Sequence, residues 1–285
     1  MSEFTGYAIA EERREELART STPAKFAMMG ELPERVDPRK HKKAGLGFLK
    51  VENQGSIGSC QGNALTECGE YCYMIATGLV IQFSRMFAYL ISQMYDRIKG
   101  DRGSTLDGGS KCASEVGFLL ESEGPYPSKY PGWGWVTDKM KRSAARFKLK
   151  THTIIRVEQR VRAFIGSGIG IVEIGIPWNG SCEPDKDGCI TRWRGGRGGG
   201  HAVVLCGYVP DSDVGRKSSK GYWYLLKNSW SRRWGINGYA YVDPACVESM
   251  LGDRMTVMVG RSDMDTPEPR PIPVDFTKPG NSMYA

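Results

Sequence analysis

The chain has 285 residues, 40% of them hydrophobic and 25% charged, with a net charge of +7. That length supports one large domain or two modest ones sharing a cleft, and the balance is that of a soluble globular protein. The positive excess is mild, and the basic runs at 39–43 (RKHKK) and 191–197 (TRWRGGR) lack the pattern of a nucleic-acid module, so no nucleic-acid partner is expected.

The opening, MSEFTGYAIAEERREELART, carries acids where a signal peptide needs a basic start and an apolar run. No stretch approaches the roughly 18 apolar residues of a membrane span, so no membrane association is expected. The expectation is a cytoplasmic protein; a virus particle, or export without such a peptide, is the other option. Residues 1–31 read as an N-terminal extension with a short amphipathic helix around 10–19, suited to a short lid or pro-segment.

From 32 to about 150 the strong signals are helical. Ala64, Leu65, Cys68, Tyr71, Cys72 and Ile75 form one stripe over 60–77, and Gly78 follows as a stop. Ser84 suits the cap of a second helix, along which Phe87, Leu90, Ile91, Met94, Tyr95 and Ile98 recur at helical spacing. A third helix is predicted over about 110–122. After 150 the pattern changes to strands: 168–176, 201–209, 221–228, 238–242 and 255–260, separated by Gly- and Pro-rich turns. A helical lobe over 32–150 followed by a β lobe over 151–261 predicts an α+β protein with two lobes. The tail, 262–285, holds five prolines and no core pattern. It reads as an extended arm suited to wrapping a protein partner.

Eight cysteines lie at 60, 68, 72, 112, 182, 189, 206 and 246. In a cytosol most are free thiols, and only Cys182 and Cys189 bracket a loop short enough to suggest a bridge in an oxidising setting. With three histidines and no tight Cys/His cluster, no metal site and no cofactor are predicted.

Chemistry begins at Cys60. A cysteine at a helix start meets unpaired N–H groups and the positive end of the dipole, which favour the nucleophilic thiolate. Of His41, His152 and His201, the first two lie in polar runs and are expected at the surface. His201 opens an apolar strand directly after a glycine-rich loop, where other backbone can approach. Asn228 ends a strand and is followed by Trp230 and Trp234; an amide there can fix an imidazole tautomer under indole cover. Gln54 precedes Cys60 by six residues across GSIGS, whose glycines allow a turn that brings its amide beside the Cys60 N–H as an oxyanion donor. Each feature alone has a bland reading as packing or capping. Together they supply nucleophile, base, orienter and oxyanion donor.

These blocks resemble the papain family of cysteine peptidases. ELPERVDPRKHKK (31–43) is similar to the start of the family's mature domain, VENQGSIGSC (51–60) to its glutamine-to-cysteine block, GGGHAVVLCGYV to its histidine strand and LLKNSWSRRWGINGYAYV to its asparagine block. The resemblance implies a two-lobe fold with a helical N-terminal lobe, an antiparallel β-barrel-like C-terminal lobe and the site in the cleft between them. It implies Cys60 as nucleophile, His201 as base, Asn228 as orienter, Gln54 as oxyanion donor and Trp230 as shield, acting on a peptide or protein substrate. LDGGSKCASEVGFLLESEGPYPSKYP (106–131) resembles the family's Gly-Gly segment, making Gly108 and Gly109 candidates for pairing with substrate backbone. Three departures stand out: Gln61 replaces the usual tryptophan, Ile57 a usual cysteine and Ser231 a usual glycine. Lack of that cysteine, and too few residues ahead of 32 for the usual prodomain, bring the chain nearer a bacterial and viral branch. Two other functions fit the same residues: a structural or binding component, for example of a virus particle, that keeps the fold, and a transpeptidase or cell-wall peptide hydrolase sharing the Cys/His chemistry.

Overall fold

A computed structural model describes residues 6–8, 11–21, 31–40, 50–195 and 198–265. Helix α1 spans Glu11–Thr20, α2 Cys60–Thr77, α3 Arg85–Asp96, α4 Leu106–Lys111, α5 Asp138–Ala144, α6 Glu158–Gly166, α7 Asp211–Val214 and α8 Pro244–Leu251. The strands are β1 Lys148–Ile154, β2 Gly170–Trp178, β3 Cys189–Ile190, β4 Gly199–Pro210, β5 Tyr222–Lys227, β6 Tyr239–Val242 and β7 Val257–Asp265. Among the described residues no helix is long and apolar enough to cross a membrane.

The strands form one sheet in the order β1-β7-β2-β4-β5-β6-β3, antiparallel except for the short β3–β6 pair. The order has two ends, so the expected barrel-like lobe is an open sheet. Both faces are covered. Ile171, Ala202, Val204, Leu225 and Val259 point into the cluster built around α2. Their neighbours Val172, Val203, Leu205, Leu226 and Met258 point to the other face, under α6 and α8. This period-two division explains why β2 is buried at every residue and reads as a continuous apolar run.

Helix α2 packs across the sheet against β2, β4 and β7. It begins at Cys60, is buried through Met74, and ends where Gly78 takes φ 71° and donates to the Met74 carbonyl. Ser84 caps α3 by accepting from the Phe87 N–H at 3.2 Å. The third predicted helix is displaced: Thr105 caps α4, a wider turn carries on to Val116, and Gly117 at φ 98° ends it.

Residues 31–40 belong with the sheet, since Val36 and Tyr208 exchange N–H···O bonds of 2.8 Å in both directions. Strand β7 runs on to Asp265, so its last residues lie in what was read as the start of the arm. The rest of the proline-rich arm and His41 lie outside the described residues. Residues 6–8 and α1 lie on the body of the protein, with Leu17 buried in the α2 cluster.

Candidate active site

Cys60 sits at the first turn of α2. The preceding Ser59 turns its hydroxyl to Tyr126, 2.5 Å away, rather than capping the helix. No side-chain cap therefore competes at the N–H groups that a thiolate would meet. Its sulfur also accepts from the Ala202 N–H, at 3.3 Å, across the lobe boundary. The backbone N–H groups of Ala202, Gln61 and Cys60 pull the thiol pKa down, but burial outweighs them and holds it above the ordinary thiol value. Cys60 has no solvent exposure in this conformation. The thiolate favoured by helix position alone is thus opposed by whatever covers the sulfur.

His201 stands on β4, one residue before Ala202. Its Nε2 lies 2.8 Å from Asn228 Oδ1. A carbonyl oxygen only accepts, so Nε2 carries the hydrogen and Nδ1 is the acceptor nitrogen of the neutral ring. The Ser229 N–H donates to the same Oδ1 at 2.7 Å, which fixes the amide's orientation. Trp230 stacks on the imidazole at 4.5 Å and 23°, and Trp178 meets its edge at 4.8 Å and 87°. Both Trp178 and Trp234 donate their indole N–H to Glu183. The predicted shield at Trp230 is therefore one of three clustered indoles, the other two tethered to Glu183; Trp178 was missed because a tryptophan at a strand end carries no local mark of what it covers.

Gln54 is 4% exposed, and its side chain donates to the Ile57 carbonyl at 3.0 Å and accepts from the Ser229 hydroxyl at 2.7 Å. Its backbone N–H donates to the Ser229 carbonyl at 2.9 Å, while the Ser231 N–H donates to Glu52 at 3.0 Å. This two-stranded tie joins the turn before Cys60 to the segment after Asn228. Ser231 lies at φ 65°, the left-handed region that favours glycine, which accounts for glycine being usual at that place.

Gly108 and Gly109 are a correction. Both lie inside α4, buried, with their N–H groups bonded to the Thr105 hydroxyl and carbonyl. A Cβ at 108 would come within 2.5 Å of the Ser92 carbonyl, and one at 109 within 2.0 Å of the Gln61 amide. Their smallness serves packing inside the helical lobe. The backbone here that pairs in strand fashion is that of Ser104, just ahead of the Thr105 cap, with residues 6–8. His152 is also not at the surface: it is half-buried, with Nε2 3.1 Å from the Thr20 hydroxyl of α1.

Behind Cys60 runs a buried polar chain. The Ser104 hydroxyl donates to Gln61, Gln61 donates to Glu173 at 3.1 Å, and Arg261 binds Glu173, the Ser110 hydroxyl and the Leu106 carbonyl. Gln61, which departs from the usual tryptophan, is thus a link between nucleophile helix and sheet. Cys182 and Cys189 are separate free thiols. Among the described residues, no group of three or more His, Cys, Asp or Glu is arranged to hold a metal.

Residues 32–253 match the model of the papain family cysteine proteases. Cathepsin F of Drosophila melanogaster is 27% identical over 229 residues, covering 75% of this chain and 33% of that protein. The peptidase C1-like protein L477 of Acanthamoeba polyphaga mimivirus is 28% identical over 210 residues, covering 67% of this chain and 63% of that protein. The chain spans between a third and somewhat over half the length of the curated relatives it matches. Among solved structures, xylellain, a cysteine protease from Xylella fastidiosa, superposes with a TM-score of 0.64 at 19% identity, covering 85% of this chain and 90% of that one.

Proposed function

The chain belongs to the papain family of cysteine proteases, and from that premise we propose that it hydrolyses peptide bonds of peptide or protein substrates through a thioester acyl-enzyme. The observation that carries this reading is the pairing of Cys60, at a helix start, with a β4 strand whose His201 is tautomer-locked by Asn228 and whose Ala202 N–H touches the sulfur. Cys60 gives its proton to His201 Nδ1, and the sulfur attacks the scissile carbonyl carbon. The oxygen takes the charge between the Cys60 N–H and the second hydrogen of the Gln54 amide nitrogen, whose first is held at Ile57. His201 then protonates the leaving amine and the C–N bond breaks, leaving a thioester. Water, deprotonated by His201, attacks that carbonyl and releases the acid and the thiol.

The test is alkylation by an epoxide warhead directed at cysteine peptidases, followed by peptide mapping, beside turnover of a peptide mixture. The expected result is modification confined to Cys60 and turnover lost in Cys60→Ala. Equal labelling across the eight cysteines, or turnover unchanged in Cys60→Ala, refutes it.

A further inference from the structure

The two oxyanion donors, the Gln54 amide and the Cys60 N–H, stand at the two ends of one short turn. Gly55 at φ 60° and Gly58 give that turn little stiffness of its own. The eight cysteines are free thiols, so no disulfide ties it. One side chain holds both ends. The Tyr126 hydroxyl donates to the Gln54 carbonyl at 3.0 Å and lies 2.5 Å from the Ser59 hydroxyl. A carbonyl only accepts, so the Tyr126 hydrogen goes to Gln54 and the Ser59 hydroxyl donates to Tyr126. Behind Ser59, the Asn63 amide donates to its hydroxyl oxygen at 3.1 Å and to its carbonyl at 2.9 Å. The hydrogens from Asn63 through Ser59 and Tyr126 to Gln54 thus all point one way. The middle of the turn is caught separately: Asp101 accepts from the Gly58 N–H and from the Tyr89 hydroxyl, each at 2.9 Å.

Tyr126 is itself fixed. Its N–H donates to the Glu121 carboxylate at 2.9 Å, and the Arg85 guanidinium lies 4.3 Å from the centre of its ring. Arg85 binds Glu121 at 3.2 Å and Glu52 at 2.8 Å. Glu52 stands two residues before Gln54, so the ring and the start of the turn share one cation. Burial pushes the Tyr126 phenol up to about 12, so the hydroxyl keeps its hydrogen through the neutral range.

We infer that Tyr126 is a positioning residue for the oxyanion hole: by holding the Gln54 carbonyl and the Ser59 hydroxyl with one oxygen, it sets the spacing of the Gln54 amide and the Cys60 N–H. This rests on the peptidase reading. The spacing matters most once the substrate oxygen carries charge, because both donors must then point at one atom. Loss of the phenol hydroxyl therefore weakens the transition state and leaves substrate binding in the ground state as it was.

The experiment uses the full chain and the variants Tyr126→Phe, Ser59→Ala, Gln54→Ala and Tyr126→Phe with Gln54→Ala. Tyr126→Phe keeps the ring under Arg85 and removes only the hydroxyl. Ser59→Ala cuts the same chain of bonds at its other end and leaves the ring alone; Tm is recorded for each. Turnover of a blocked peptide gives kcat and KM. A peptide aldehyde gives an inhibition constant: the Cys60 sulfur bonds to its carbon and the C=O pair moves onto the oxygen, which sits where the oxyanion would. Iodoacetamide, whose methylene carbon takes the sulfur as iodide leaves, reports the thiolate without any oxyanion. Tyr126→Phe is expected to lower kcat about tenfold, less than the about 10²–10³-fold cost of deleting a donor, and to weaken the aldehyde by the same factor. KM and the iodoacetamide rate should stay within about twofold. Ser59→Ala should move the same readouts in the same direction. In the Gln54→Ala background Tyr126→Phe should cost about twofold at most, since the donor it places is gone. Unchanged kcat and aldehyde affinity in Tyr126→Phe, or a loss that adds in full to that of Gln54→Ala, overturns the inference and leaves the peptidase reading standing. So does an iodoacetamide rate that falls with kcat, which makes Tyr126 part of the general frame around Cys60. A wild-type chain that alkylates at Cys60 yet turns over no peptide overturns the peptidase reading, and the positioning role with it.

Discussion

The two halves of the site are held by opposite means. On the β4 side, His201 is gripped by aromatic surface, Trp230 on its face and Trp178 at its edge, and donates one hydrogen bond to the Asn228 amide oxygen. On the α2 side, Cys60 is backed by buried polar bonds, running from Ser104 through Gln61 and Glu173 to Arg261. The difference follows from what each group would do in the proposed reaction. An imidazole that changes charge during a cycle needs one tautomer and shelter from water, which rings and a single amide supply. A sulfur at a helix start needs a fixed backbone, and a helix end is fixed by anchoring its first turn to the opposite lobe.

The largest expected effect separates proton transfer from the shelter around it. His201→Ala should lower kcat by about 10²–10⁴-fold, the usual range for losing a general acid–base. Asn228→Ala should cost less, since the ring remains and only its tautomer is freed, and Trp230→Ala should cost least. Peptide turnover measured for all three fixes the order. A Trp230→Ala loss as large as that of His201→Ala would mean that shelter, not the proton, dominates this half.

The next effect sharpens the polar half. Arg261 is 1% exposed and Glu173 is fully buried; burial raises the Glu173 pKa while Arg261 holds it down. Arg261→Met leaves that carboxyl without its cation and should cost about 3–5 kcal/mol in urea unfolding. Adding Glu173→Gln should recover more than half of the loss, because the stranded charge is gone while an amide is kept toward Gln61. Additive losses would show Arg261 and Glu173 to be packed side by side without coupling.

The same contrast explains what was legible in the sequence. Cys60, His201, Asn228, Gln54 and Trp230 stand in blocks where chemistry and local structure coincide, a helix start, a strand start and a strand end. Helix α2 was readable from its apolar stripe and its glycine stop. The partners that hold these residues come from far away in the chain, as Glu173 and Arg261 do, and leave no local trace. Strand β1, KLKTHTI, was missed because it is an edge strand with polar residues on one face and only Leu149 and Thr153 buried. The Gly108–Gly109 pair misled for a related reason: a bare glycine shows that something comes close, not whether it is a substrate or a neighbouring helix. The capping signal at Thr105, with glycine and serine just before it, was the better pointer to backbone left to pair outside the helix.

The smallest effect tests the seam between the N-terminal segment and the sheet. His152 on β1 touches the Thr20 hydroxyl of α1 and stands opposite Arg261 in the β1–β7 ladder. Burial, and then the Arg261 charge, lower its pKa from 6.5 to about 4, while a hydrogen bond with Leu17 of α1 works the other way. A histidine with a depressed folded-state pKa stabilises the docked form above its unfolded value. That stability is lost as pH falls from 6.5 toward 4, because the undocked form takes up the proton first. Acidification through this window should therefore loosen α1, read as faster hydrogen exchange at Leu17 and its neighbours, with the core of α2 unchanged. His152→Gln keeps a polar group of similar reach and removes the proton site, so its exchange should vary much less with pH. If the variant loosens over the same window to the same extent, His152 is not the group that titrates at this seam.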